Sequence, residues 1–299
     1  MDKSKLLLNA PNIIQDQKIL FALGLAIKVL PDGKRALSSG LDFHLRLWDL
    51  ETGTCIKSWD ANGPLFSIEV DSNGTIAFLG AVMGIARWDI ENWEPYKPGS
   101  LRTFRAINVI AYTESAGVLI GAGEDTTIYH WHLPTGKMRG QLPGHQVTIY
   151  SIDIDQSGSI SLSGDLYGFL QLWDLETNTL LREWKGHEGE VSSIDMSSDG
   201  RLALTGSADG NVILWDLQNE KKILKLKDER VTGVILSKDA HWALCCGSSG
   251  LSLWDLDEEK QVVKNKEDGI IAMSMTPDES VLVGLVKNNH IKVWENMGN

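Results

Sequence analysis

The 299-residue chain carries 28 Lys and Arg against 40 Asp and Glu, a formal net charge of -12, so its field opposes a phosphate backbone and argues against nucleic acid as a partner. Its three cysteines, Cys55, Cys245 and Cys246, form neither an even disulfide framework nor paired metal-binding hairpins, and a reducing intracellular setting, cytoplasm or nucleus, is expected. The most apolar stretch, Ile19 to Ile27, ends at Lys28 and is far shorter than the roughly twenty residues of a spanning helix, so neither membrane insertion nor a secretory leader is expected.

In chain order, two short segments come first, Lys5 to Asn9 and Asn12 to Leu20, ahead of a first inner strand at about Gly24 to Val29. From there a Trp recurs at 48, 88, 131, 173, 215, 254 and 294, with spacings of 40, 43, 42, 42, 39 and 40 residues, and Asp follows it at 49, 89, 174, 216 and 255. A period of about 40 to 45 residues bearing a Trp-Asp pair and four short strands marks a β-propeller blade. The predicted fold is therefore all-β: a seven-bladed propeller of four-stranded antiparallel blades, one domain over residues 1–299. Only Glu295 to Asn299 follow the last Trp, too few for a seventh outer strand. Residues 1–20 are expected to supply it, completing the last blade and removing an open sheet edge. Deleting them is expected to destabilise the whole ring.

The fifth repeat is the cleanest. Val191 to Met196 reads as inner strand a, with Val191, Ile194 and Met196 inward; a turn at Ser198-Asp199-Gly200 leads to strand b, Arg201 to Ser207. Asp209-Gly210 turns into strand c, Val212 to Asp216, and Lys222 to Leu226 is the outer strand d. Apolar residues on both faces of strands a to c fit a blade packed between two others, and Pro95 and Pro98 fall where blade 2's outer strand belongs, an edge that tolerates Pro.

On these residues the chain resembles the WD-repeat propeller family over nearly its full length. The resemblance implies a knitting network in blade 5 of His187, Thr205, Asp209 and Trp215, structural in role. Blade 1 keeps Ser38, Asp42 and Trp48; blade 3 keeps Asp125 and Trp131; blade 4 has His145, Ser163 and Trp173 but Tyr167 at the Asp position; blades 2, 6 and 7 keep essentially the Trp. Blade 5 is thus expected to hold the one complete network and to anchor the ring.

His, Ser or Thr, and Asp are also the residue types of a hydrolytic triad, but such a triad needs an exposed nucleophile, an oxyanion hole and a substrate pocket. No catalytic residue, metal site or cofactor is expected. Asp153, Asp155 and Asp165 read as solvated turn carboxylates, and Cys245-Cys246 as buried structural thiols.

A rigid ring faced with loops points to recognition, so protein or peptide partners within a multiprotein complex are expected. The resemblance implies that the top face is shaped by residues flanking the start of strand a and preceding the b-to-c Asp. The candidates are Leu25, Leu41, Phe66, Glu124, Tyr150, Leu166, Arg230, Ile271 and Lys287, with Leu23 and Glu190 beside them. Two specialised roles within the family are disfavoured. The Arg that substrate receptors of cullin ligases carry two residues after Trp-Asp is replaced by Glu51, Glu91, Glu176, Gln218 or Asp257, and Pro11 breaks the segment where a G-protein β subunit has a long helix.

Overall fold

Alternation of apolar residues with tight turns folds every repeat into an antiparallel sheet. The computed structural model describes residues 12–14, 24–96, 101–103, 105–266, 269–287 and 290–295. It contains seven sheets, whose inner strands pack successively and return from the seventh to the first. In blade 5 the strands are Val191–Met196, Leu202–Ser207, Asn211–Asp216 and Lys221–Lys227, within one residue of the sequence reading. Blade 2 differs at its outer edge, where Glu94–Pro95 and Leu101–Arg102 both pair with Gly84–Asp89. Pro98 and Lys5 to Asn9 lie outside the described residues. Asn12–Ile14 runs antiparallel to Ile291–Glu295, with Ile13 opposite Lys292.

Each blade buries both faces, so the core is divided into clusters shared by neighbours. One joins Leu162, Leu170 and Leu172 of blade 4 to Val191, Ile194 and Met196 of blade 5. The fit is tight: a Cβ at Gly164 would lie 2.6 Å from Val191 Cβ, so only glycine lets the two blades approach this closely.

Two irregularities recur. A bulge interrupts every inner strand after its first residue, as at Val191/Ser193. In five blades a second one precedes the Trp on the outer side, as at Leu214/Trp215. Bulges re-aim side chains; of the residues at the first bulge, Leu25, Phe66, Asn108 and Tyr150 of blades 1 to 4 line the central cavity.

The channel-side edge of strand a has no fifth strand, and side chains from the preceding blade take its place. Asp153 accepts from Met196 N at 2.7 Å, Asp195 from Leu236 N at 2.6 Å and Ser274 from Val29 N at 3.2 Å. Ser151, Ser192 and Thr232 donate to Val191 O, Val231 O and Ile270 O. These stitches run from blade 4 around to blade 1.

The knitting network of blade 5 is complete. Trp215 Nε1 donates to Thr205 Oγ1 at 2.8 Å, Thr205 Oγ1 lies 2.8 Å from His187 Nε2, and His187 Nδ1 lies 3.3 Å from Asp209 Oδ2. Because indole can only donate, donation runs one way, Trp to Thr to His to Asp, through a neutral imidazole with its proton on Nδ1. Burial pulls the His187 pKa down against the opposing charge of Asp209, in keeping with that neutral ring.

Blade 4 corrects the sequence reading. Its network is also complete, because Asp165, two residues before Tyr167, reaches back to His145 Nδ1 at 3.1 Å, while His145 Nε2 meets Ser163 at 2.7 Å and Trp173 donates to Ser163 at 3.0 Å. The Asp165 side chain is 4 % exposed against 10 % for Asp209. The other two carboxylates read as solvated are not so either. Asp155 is buried and accepts from Ser159 N and Ile160 N, and Asp153 is half-buried in the channel wall. The physical reason is shared: each answers backbone or imidazole donors that the turn and the blade edge leave open.

Candidate functional site

The end of the ring formed by d-to-a loops and b-to-c turns is built the same way in several blades. The turn between strands b and c docks onto the start of strand a through Leu166 N to Thr148 O, Ala208 N to Glu190 O, Ser248 N to Arg230 O and Lys287 N to Gly269 O. This brings together the two sets of residues that the sequence singled out for the face.

Within it, Leu25, Phe66 and Tyr150 line the mouth of a central cavity of about 520 Å³. Leu25, Phe66, Ile271 and Leu166 are half-buried, whereas Leu41 and Tyr150 are each 42 % exposed. Glu124, Arg230 and Lys287 are exposed on turns and loops around them. Leu23 falls outside the described residues. Sequence reasoning missed four exposed side chains on this end, Phe43, Val82, Met83 and Tyr167. All sit in b-to-c turns, positions read as turn chemistry alone.

Below the mouth, the channel wall is charged. Lys28 Nζ meets Glu69 Oε2 at 2.6 Å; burial works against the ammonium, but Glu69 outweighs it and the Lys28 pKa is raised. Burial, reinforced by the charge of Asp195, pushes the Asp153 carboxyl well above the ordinary range. Burial also raises Asp195 to about 6, against the Leu236 N–H and the Lys28 charge. One ammonium thus faces three carboxyls. Among the described residues no group of three or more His, Cys, Asp or Glu is arranged to hold a metal. Cys245 and Cys246 are buried free thiols, both raised by burial, Cys246 to about 12, which keeps them protonated and inert.

Comparison with known proteins matches the family described as "WD domain, G-beta repeat" over residues 24–49, 136–174 and 178–216. Among curated relatives, the mouse (Mus musculus) serine-threonine kinase receptor-associated protein is 29% identical over 141 residues, 47% of this chain and 39% of that protein. The Periodic tryptophan protein 2 homolog of Dictyostelium discoideum is 26% identical over 135 residues, 42% of this chain and 14% of its length. Protein HIR1 of Gibberella zeae is 25% identical over 157 residues, 42% of this chain and 15% of its length. The chain thus spans well under half the length of each of these relatives. Fold and relatives together support a protein-interaction scaffold. The matched repeats end in blades 1, 4 and 5, whose Trp indoles donate to Ser38, Ser163 and Thr205; among the described residues the remaining blades share the architecture without that bond, and the chain is a seven-bladed β-propeller with repeats that match the WD-repeat family.

Proposed function

We propose that this chain is a non-catalytic scaffold that holds a peptide or a partner domain on the end of the ring carrying the b-to-c turns. The distribution of exposed large apolar side chains carries this reading. Leu41, Phe43, Val82, Met83, Tyr150 and Tyr167 lie on that end and Ile56, Met138, Leu180, Leu181 and Ile223 on outer strands. The a-to-b and c-to-d turns of the opposite end have none among the described residues. Apolar and aromatic anchors supply most of the energy of a protein contact, and a rigid ring presents them with little ordering cost. The His145–Ser163 and His187–Thr205 networks are buried, which favours a structural role for them over catalysis. One relative is named for association with a serine-threonine kinase receptor, which agrees with a partner-binding role, and three cysteines outside any disulfide suit a reducing compartment, cytoplasm or nucleus.

The test is affinity recovery of partners by the wild-type chain and by Phe66→Ala with Tyr150→Ala. Loss of the recovered partner with an unchanged melting temperature is expected; an undiminished partner in the double variant defeats the reading. A second reading, an obligate subunit held by the side of the ring, draws on Leu180, Leu181 and Ile223, which are 43%, 53% and 51% exposed on the outer strands of blades 4 and 5. It requires the isolated chain to self-associate or aggregate.

A further inference from the structure

Two turns on the binding end stand out, one by a left-handed backbone at a bulky residue and one by large apolar side chains left exposed. The b-to-c turns of blades 1, 3, 4 and 5 close alike, through Phe43 N to Gly40 O, Thr126 N to Gly123 O, Gly168 N to Asp165 O and Gly210 N to Ser207 O. The closing residue is left-handed in each: φ is 86° at Gly168, 79° at Gly210, 62° at Thr126 and 66° at Phe43. A bulky side chain is strained there and glycine is not. Trp93 is also left-handed, at φ 56°, but it packs edge-on against Trp88. Phe43 has no such ring contact and is 43% exposed.

Blade 2 breaks the rule differently. Its turn is two residues long, between Ala81 and Gly84, and holds Val82 and Met83, 44% and 59% exposed. The same-length turn of blade 6, between Gly247 and Gly250, holds Ser248 and Ser249. Under both turns lies one core cluster spanning blades 1 and 2, with Leu45, Leu65 and Leu79 buried and Ala61 and Ala81 packed on it. A strained aromatic at Phe43 and exposed apolar side chains at Val82 and Met83, none of them buried in the core beneath, mark a site kept for contact with something else.

The charge beside this patch names its partner. Arg102 pairs in register with Gly84, and Thr103 N donates to Met83 O at 3.2 Å, so the Arg102 backbone abuts the blade 2 turn, and Arg105 follows on the same loop. Both are exposed, and neither forms an ion pair with a described residue. Acids stand on the same end in blades 1 and 3 as well, but Asp42 pairs with Arg46 at 2.5 Å and Asp125 accepts from Tyr129, whereas around blade 5 alone there are Glu188, Glu190, Asp209 and Glu229. In a chain of net charge -12, the Arg102 guanidinium, unpaired among the described residues beside the apolar patch, with Arg105 further along the loop near Tyr129, selects an anionic partner.

We propose that the turns bearing Leu41, Phe43, Val82 and Met83, with Arg102 and Arg105, form the anchor subsite for an acidic segment of a partner protein, one with a large apolar side chain next to Asp or Glu. This rests on the reading that the b-to-c end is the binding face.

The test uses a phage-displayed random peptide library panned on the full chain, with enriched peptides synthesised and their Kd measured. Enriched sequences should place an aromatic or large aliphatic residue beside a carboxylate. Their affinity should fall by about tenfold or more in Phe43→Gly with Val82→Ser and Met83→Ser, and in Arg102→Gln with Arg105→Gln. It should also fall with added salt. Phe43→Gly alone should melt no lower than wild type, since it relieves the left-handed strain, so lost binding there is not unfolding. Peptides without acidic residues, unchanged Kd in both variants, or no enrichment overturn the subsite. If binding is lost only in Phe66→Ala with Tyr150→Ala, the subsite falls and the binding face stands; if neither set of variants matters, both fall. Turn-dependent binding to phosphatidylserine vesicles in place of peptides makes the patch a membrane contact and overturns the proposal.

Discussion

Blades 4 and 5 and blades 1 and 2 are copies of one unit put to different use. In the first pair a Trp, a hydroxyl, a His and an Asp are joined in sequence, and the inner edges are stitched to the next blade through Asp153, Asp195, Ser151 and Ser192. In the second pair the Trp48 chain stops at Ser38, and Trp88 Nε1, Ser39 Oγ and Ser67 Oγ are buried without a described partner. That pair rests on its shared apolar core and on stacked Trp59 and Trp88, 3.9 Å between ring centroids. The sector with the complete networks is the more heavily bonded, while blades 1 and 2, joined by packing and by the Lys28–Glu69 pair, carry Leu41, Phe43, Val82 and Met83 on their turns. A repeat protein can separate stability from the recognition proposed above because each blade touches only its neighbours.

The largest expected effect separates the two sectors. Asp165→Ala leaves His145 Nδ1, Tyr167 N and Phe169 N without their acceptor, and Asp209→Ala does the same to His187, Glu188 N and Asn211 N. Each buried partner left open costs about 1–3 kcal/mol. Thermal or denaturant unfolding should show both variants clearly destabilised, Asp165→Ala at least as much as Asp209→Ala. A negligible loss in Asp165→Ala would return blade 4 to the status of a decayed copy.

A medium effect concerns the channel wall. Asp195 stands at about 6 against the ordinary 3.8, with Lys28, Glu69 and Asp153 facing it. Between those values the folded chain holds a proton that the unfolded chain has released. This contribution to stability is full below the unfolded pKa and is lost as pH rises through about 6. Asp195→Asn keeps an oxygen for Leu236 N–H without the buried charge. It should therefore melt above wild type at neutral pH, with the difference shrinking as pH is lowered through that window; a difference independent of pH would show that Asp195 does not titrate there.

The smallest effect lies in the indoles. Trp173→Phe removes a donor from Ser163, whereas Trp88 Nε1 has no described partner. Beyond the packing loss common to both, Trp173→Phe should cost about 1 kcal/mol more than Trp88→Phe in chemical denaturation. Equal costs would dissolve the distinction between a knitted and an unknitted blade.

Much of this architecture was legible in the sequence because it is periodic. The Trp spacing sets the blade count, and alternation sets the strands of blade 5 to within a residue. The fourth network was not legible, because Asp165 acts from the last position of strand b instead of the turn position that Tyr167 holds; a motif read by spacing misses an acceptor that reaches the same imidazole from elsewhere. The buried carboxylates escaped for a related reason. Asp153 and Asp195 answer the unpaired N–H groups of a strand edge in the next blade, and an edge exists only once the ring is built. Leu25, Phe66 and Tyr150 could be placed near the mouth from their register after the first residue of strand a. Phe43, Val82 and Met83 could not, since the resemblance points to a single position of each b-to-c turn for contact, as at Leu41, and leaves the residues after it to backbone conformation.

One paired measurement bears on the division most directly: melting temperature and partner recovery determined side by side for Asp165→Ala and for Phe43→Gly with Met83→Ser. The expected result is a crossing, in which Asp165→Ala lowers the melting temperature while its folded fraction still recovers the partner, and the double variant melts as wild type but recovers none. A double variant that retains the partner, or an Asp165→Ala chain that loses it with no loss of stability, would contradict the assignment of structure to one sector and recognition to the other.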